Sequence, residues 1–335
     1  MKKKIKIALL GFGTVGKGIY YSLKNHPKRI SKTIGFEIEV VSIVVKHLEK
    51  HQDFEDNKLI TTDFETVIQN PEIDIVLEAI VGKEPAFSYL SQSIKAGKHI
   101  ITANKEMFAH HGEELLELSQ KHDVNIGFEA TTAGGIPVIN TIGKLFQFNE
   151  IKKITAILNG TSNYILTQMR VQKLPFNIAL KQAQELGYAE ADPTNDIEGY
   201  DSFYKLMILG QLIYGKQPDW SSVNREGIVN ITAKEIEDYN LEDKRIKHIA
   251  SLELQDNTLT ASVKPVVISS EHPLYSIEGV ENAVVIEGDV VGQITLSGPG
   301  AGAFPTASAM LEDLCLILQS ERSTTSSPIL AKAIL

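Results

Sequence analysis

The feature that most constrains this chain is a glycine turn close to its start. Gly11-Phe12-Gly13-Thr14-Val15-Gly16 follows directly on the apolar run Ile5-Lys6-Ile7-Ala8-Leu9-Leu10, and a helical pattern then continues to about Asn25. In a strand–turn–helix of this kind Gly11 permits the tight turn, Gly13 lets the backbone approach a pyrophosphate, and Gly16 lets helix pack closely on strand. The helix N-terminus presents N–H groups and the positive end of its dipole to phosphate. The motif predicts a dinucleotide-binding unit, with a purely structural glycine turn as the alternative.

The rest of the first third supports that reading. Apolar, β-branched runs at 38–45, 73–80, 99–102 and 124–129 alternate with helical stretches at 84–96 and 105–121. Such alternation implies a parallel sheet with right-handed crossovers. The pattern changes after Thr131-Thr132-Ala133-Gly134-Gly135. Beyond it lie a strand at 151–158, a helix at 176–185, a second long helix within 196–214, and a strand-rich stretch at 261–296 with turns at Glu281-Asn282 and Gly288-Asp289. A last helix spans about 306–320, and 323–328 reads as a flexible tail. The fold class is thus α/β: a Rossmann-type doubly wound sheet at 1–133, completed by about 303–335, and an α+β substrate and dimerisation domain at 134–302.

Bulk properties narrow the function. A chain of 335 residues suits about two domains. Its net charge of −9 opposes a phosphate backbone, so no nucleic-acid partner is expected. No apolar run reaches the roughly 18–20 residues that span a bilayer, so no membrane partner is expected either. The basic start, Lys2-Lys3-Lys4, runs into a short buried strand and no cleavage site, unlike a signal peptide. The single cysteine, Cys315, falls on an apolar helix face and suits core packing in a reducing cytoplasm.

The end of the second strand bears on the cofactor. An acidic residue there would hold the ribose 2′-hydroxyl of NAD. This chain has Val44-Val45-Lys46-His47, with Lys50 nearby, so Lys46 favours the 2′-phosphate of NADP unless it is a solvated loop lysine. Carbonyl reduction also needs a held carbonyl, a stabilised oxyanion and a proton donor, and a lysine can supply the last two together. Lys105 follows the strand at 99–102 and so stands at the carboxyl end of the sheet, where substrate would lie. Lys205 comes four residues after Asp201 on one helix face, behind a stretch dense in carboxylates from Glu190 through Asp196. Without further evidence that stretch could equally be a solvated acidic helix start.

Taken together, these motifs resemble the homoserine dehydrogenase family along almost the whole chain. The resemblance is carried by Gly11 to Gly16, Thr102-Ala103-Asn104-Lys105, Asn159-Gly160-Thr161-Ser162-Asn163-Tyr164-Ile165-Leu166, the stretch from Leu186-Gly187-Tyr188-Ala189-Glu190-Ala191-Asp192-Pro193 to Lys205, and Gly298-Pro299-Gly300-Ala301-Gly302 leading to Pro305-Thr306-Ala307. It implies NAD(P)H-dependent, reversible reduction of L-aspartate 4-semialdehyde to L-homoserine, on the route to threonine, isoleucine and methionine. It further implies Lys205 as acid/base, Lys105 beside the carbonyl and nicotinamide, Glu190 and Asp201 as substrate carboxylates, and Asp196 as a positioning group. Phe12, Thr14, Val15 and Gly302 would join the glycines at the cofactor. A monovalent cation, sodium, would sit on Glu129, Thr132, Gly134 and Ile136. A homodimer is implied as well.

Two departures from the family pattern stand out. Many bacterial members have a Gly-Gly pair where this chain reads Ile80-Val81-Gly82-Lys83, and many carry a C-terminal threonine-binding domain beyond the point where this sequence ends, so such feedback is not expected. The competing readings are another semialdehyde or imine reductase and a non-catalytic NADP sensor. A phosphorylating dehydrogenase would need a cysteine nucleophile, for which Cys315 is badly placed.

Overall fold

The computed structural model describes residues 4–255 and 258–322. The tail at 323–328 lies outside the described residues. The chain divides into two compact units: one combines the stretch up to Pro137 with that from Gly302 onward, and the other is Val138–Ala301.

The first unit begins with β1 (Lys4–Leu10), α1 (Thr14–Asn25), α2 (Pro27–Ile34) and β2 (Glu37–Val44). Next come β3 (Ile60–Thr61), α3 (Glu65–Ile68), β4 (Ile73–Glu78), α4 (Ala86–Lys95), β5 (His99–Thr102), α5 (Lys105–Lys121) and β6 (Ile126–Gly127). The strands form one sheet in the order β3-β2-β1-β4-β5-β6, and every pairing is parallel. Successive strands are added outward on one side of β1 and then on the other. The order therefore reverses between β1 and β4, which is where such folds bind ligands. The glycine turn leaves β1 at that point and the 79–85 loop leaves β4 beside it. Gly11 has φ +94°, and a Cβ there would come within 2.6 Å of the Ala79 carbonyl oxygen. A Cβ on Gly16 would collide with the Gly11 carbonyl. Both glycines are thus fixed by the packing of the crevice.

Some boundaries differ from the sequence reading for local reasons. Pro85 caps α4, which starts at Ala86 rather than 84, because a residue preceding proline is disfavoured in a helix. β4 stops at Glu78, whose side chain takes the Ile80 N–H that a longer strand would have used. The strand expected at 124–129 is only two residues long. The Glu129 N–H goes to Asp313 Oδ2 at 2.9 Å instead of to a neighbouring strand, and a 3₁₀ turn covers Glu129–Thr131.

The second unit contains α6 (Val138–Leu145), β7 (Ile151–Ile157), α7 (Gly160–Val171), α8 (Phe176–Glu185), α9 (Thr194–Ile197), α10 (Tyr200–Tyr214), β8 (Asn224–Arg225) and α11 (Ala233–Leu241). Four strands close it: β9 (Lys244–Gln255), β10 (Thr258–Ser269), β11 (Glu281–Gly288) and β12 (Gly292–Pro299). Its sheet has the order β12-β11-β7-β9-β10-β8 and is antiparallel except where β10 meets β8. Register places Ile154, Ala156, Ala250, Leu252, Val284 and Ile286 on one buried face. Ile157, Ile249, Ala283 and Val285 join a cluster with Leu274 and Ile277 from the loop before β11. That loop replaces the turn expected at Glu281-Asn282, which instead begins β11 opposite Pro299 and Gly298.

The long helix expected within 196–214 is α10, and a break at Gly199 separates it from α9. Gly199 is left-handed at φ +80°, the Ile197 carbonyl accepts from the Ile228 N–H at 2.8 Å, and the Glu198 carbonyl accepts from Arg225 at 2.5 Å. The helical carbonyls are spent on the 225–228 segment, so α9 and α10 are separate.

The chain finally returns to the first unit as α12 (Ala303–Arg322). Met310, Leu314, Ile317 and Leu318 are buried there with Ile7, Ile19 and Ile43. Cys315 packs at the edge of this core, and burial together with Glu312 pushes its thiol up to about 11.

Candidate active site

In the first unit Gly13 and Thr14 are exposed and Val15 is half-buried. The Phe12 ring turns inward, within 4.7 Å of Phe54 and 5.8 Å of Tyr20, which leaves only its peptide groups on the side of the turn. The Tyr20 hydroxyl donates to Asp56 and ties the 45–60 segment to α1. Lys46 is exposed just past β2. Lys105 is half-buried at the first position of α5, directly after the N-cap Asn104, whose Oδ1 accepts from the Met107 N–H at 3.0 Å. Gly302, with φ +121°, is exposed where the chain re-enters this unit.

The four residues expected to hold a cation lie in the same unit. Glu129, Thr132, Gly134 and Ile136 are all buried. Gly134 has φ +58°, which bends the backbone and turns its peptide groups. A buried carboxylate beside a tightly turned backbone is the donor set of a hard cation. Among the described residues no three His, Cys, Asp or Glu gather as a metal site.

The second unit holds a buried ionic cluster. Lys205 is 6% exposed and Asp201 5%. Lys205 Nζ donates to Asp201 Oδ2 at 2.7 Å and to the Leu158 carbonyl at 2.6 Å. Asn159 caps α7 by accepting from the Ser162 N–H at 2.7 Å. Its Nδ2 donates to Asp196 Oδ1 at 2.7 Å and to Asp201 Oδ2 at 2.9 Å. One amide therefore holds two of the three acidic residues expected at the substrate, and the short turn of α9 delivers one of them. Burying an ammonium is tolerable only with this kind of pairing. Glu190 is exposed, and its carbonyl accepts from Gln184 at 3.1 Å. His248 is buried against this helix start, and burial keeps its imidazole below its ordinary value despite the Glu226 carbonyl and Asp201.

Sequence reasoning missed several members of these networks. Asn159 lay inside a quoted motif, and an Asn directly before Gly-Thr-Ser is a legible N-cap. Asn282, whose Nδ2 donates to the Leu158 carbonyl at 2.8 Å beside Lys205, fell in a supposed turn and gave no signal. Glu78 lay inside the apolar run at 73–80 and was not singled out.

A glycine turn at the reversal point of a parallel sheet, together with a second unit bearing a buried lysine–carboxylate cluster, defines the class as nicotinamide-dinucleotide oxidoreductases. The family profile described as "Homoserine dehydrogenase" matches residues 137–315, and that described as "Homoserine dehydrogenase, NAD binding domain" matches residues 11–129. The chain belongs to the homoserine dehydrogenase family and is an NAD(P)-dependent oxidoreductase acting on a CH–OH group. It is 36% identical over 321 residues to the homoserine dehydrogenase of Bacillus subtilis, covering 96% of this chain and 74% of that protein. A crystal structure of a homoserine dehydrogenase from Thiobacillus denitrificans superposes with a TM-score of 0.93 at 38% identity, over 97% of this chain and 76% of the other. A hyperthermophilic archaeal homoserine dehydrogenase in complex with NADPH gives 0.81 at 27% identity, over 95% and 98%.

Proposed function

We propose that this chain interconverts L-aspartate 4-semialdehyde and L-homoserine with Lys205 as the proton-carrying group. The observation that carries this reading is the buried Lys205–Asp201–Asn159–Asp196 network. When bound, the nicotinamide supplies or accepts the hydride. Lys205 holds the proton at Nζ, and Asp201 and the Leu158 carbonyl aim that nitrogen while Asp201 balances its charge. Lys105, on the rigid first turn of α5, steadies the carbonyl oxygen. Glu190 binds the α-ammonium of the amino acid, and Asp196 and Asp201 shape that part of the site.

The finer assignments rest on the same chemistry. Gly11, Gly13 and Gly16, with Phe12, Thr14, Val15 and Gly302, receive the dinucleotide. Lys46 selects NADP over NAD through the 2′-phosphate. Glu129 with Thr132, Gly134 and Ile136 holds sodium, which stiffens the loop. The protein works as a homodimer in the cytoplasm and feeds the synthesis of threonine, isoleucine and methionine. No described helix is long and apolar enough to cross a membrane.

The decisive experiment follows reduced cofactor while purified protein oxidises L-homoserine with NADP or NAD at alkaline pH. Lys205→Ala is expected to lower kcat by roughly 10²–10⁴ with cofactor affinity nearly unchanged. Equal activity in the variant and the parent would remove Lys205 from the reaction. Binding of both cofactors without turnover by the parent protein would favour a sensor instead.

A further inference from the structure

Glu78 ends β4 with a carboxyl group that is 0% exposed. β1 and β5 flank it and set Leu10 and Thr102 opposite it. The groups acting on its ionisation are the Thr102 hydroxyl, the Ile80 N–H and the Asn104 amide, and none of them is charged or titrates near neutrality. A buried carboxyl without a cation is costly, and such groups concentrate where function requires them.

Its hydrogen bonds run in one direction. Oε1 accepts from the Ile80 N–H at 2.5 Å and Oε2 from the Thr102 hydroxyl at 2.5 Å. Thr102 Oγ1 in turn accepts from the Asn104 N–H at 3.0 Å. Asn104 Oδ1 caps α5, and its Nδ2 donates to the Gly82 carbonyl at 2.7 Å. A carboxylate only accepts, and a hydroxyl has one proton to give, so the ionised group orients Thr102 with its lone pairs toward Asn104. The series ends on the residue before Lys105 and closes back on the loop that borders the crevice.

We propose that Glu78 is a positioning residue for the reaction: as a carboxylate it fixes Thr102 and Asn104, and with them the first turn of α5 that carries Lys105 and the 80–82 loop. This rests on the reading of Lys105 given above. Protonation loosens that constraint, because a neutral carboxyl accepts more weakly and can itself donate, so Thr102 is no longer held to giving its one proton to Glu78. Burial pushes Glu78 up to about 7, so the change falls within the working range of pH.

The test uses the full chain with homoserine and NADP across pH 6–9, with Kd for NADPH measured by fluorescence. Glu78→Gln is expected to lower kcat about ten- to a hundredfold at pH 8.5, to leave Kd within about threefold, and to abolish an acid limb near pH 7 seen in the parent. Thr102→Val, which breaks the same series without altering the carboxyl, should give a similar loss, and Thr102→Ser should regain most of it. If Glu78→Gln does not fold, this Thr102 pair decides the matter. In a Lys105→Met background Glu78→Gln should add no further loss. A parental pH profile and kcat in Glu78→Gln, alongside an impaired Lys105→Met, would overturn the role of Glu78 alone, as would an equal loss in both backgrounds. Full activity in Lys105→Met would overturn the Lys105 reading and this route with it.

Discussion

The chemistry of single residues here is governed by burial and by the partner that compensates it. Glu78 has its carboxyl raised from 4.5 to about 7 by desolvation, with Thr102, Ile80 and Asn104 opposing only in part. Between those two values the folded protein binds more protons than the unfolded chain, so stability falls as pH rises from about 4.5 to about 7 and is level above. Relative to Glu78→Gln, the parent should gain about 3 kcal/mol when pH is lowered from 7.5 to 4.5. Urea unfolding of both proteins at the two pH values checks this, and a constant difference would contradict it. Lys46, by contrast, is exposed. Lys46→Glu is expected to weaken NADP at least tenfold more than NAD, and an unchanged ratio of the two Kd values would show that the lysine does not read the 2′-phosphate. Cys315, with its thiol near 11, should react with a thiol reagent only slowly, and Cys315→Ser should retain full activity.

At the scale of elements, helix starts do the placing. α5 brings Lys105 to the sheet edge through the Asn104 cap, and α7 begins on an Asn159 that also grips Asp196 and Asp201. Asn159→Ala loses the cap, worth about 1 kcal/mol, and the two donors as well. Asn159→Asp keeps a capping oxygen but replaces those donors with a third carboxylate. Buried beside two carboxylates, the added charge costs more than the cap returns, so thermal melts should place the aspartate variant below the alanine, while kcat falls in both. A fully active Asn159→Asp would show that the grip on the acidic pair is dispensable. These starts also explain what was readable beforehand. The glycine turn, α5 and the Asp201–Lys205 spacing follow from local pattern, so they could be read from sequence. The break at Gly199, the short β6 and the roles of Asn282 and Glu78 depend on partners far along the chain (the 225–228 segment, Asp313, Leu158 and Thr102). No window of sequence displays those partners.

At the scale of the whole molecule, the first unit is assembled from two separate stretches. Its core closes only when α12 supplies Met310, Leu314, Ile317 and Leu318. Leu314→Ala is expected to cost about 2–5 kcal/mol, read from denaturant midpoints. A fragment ending at Ala301 should bind the dye ANS and lack fixed near-ultraviolet signals from its first unit. A cooperative transition for that fragment, equal to the full chain's, would show that α12 is merely attached.

That arrangement reaches back to the ribosome. Domains usually settle in the order they are translated, N-terminal first. Here the cofactor-binding half leaves the exit tunnel early but must wait, with its hydrophobic interior exposed, until more than 160 intervening residues, Val138–Ala301, have been made. Newborn molecules therefore pass through a vulnerable interval in which chaperone binding, or early capture of dinucleotide, would govern how many reach maturity.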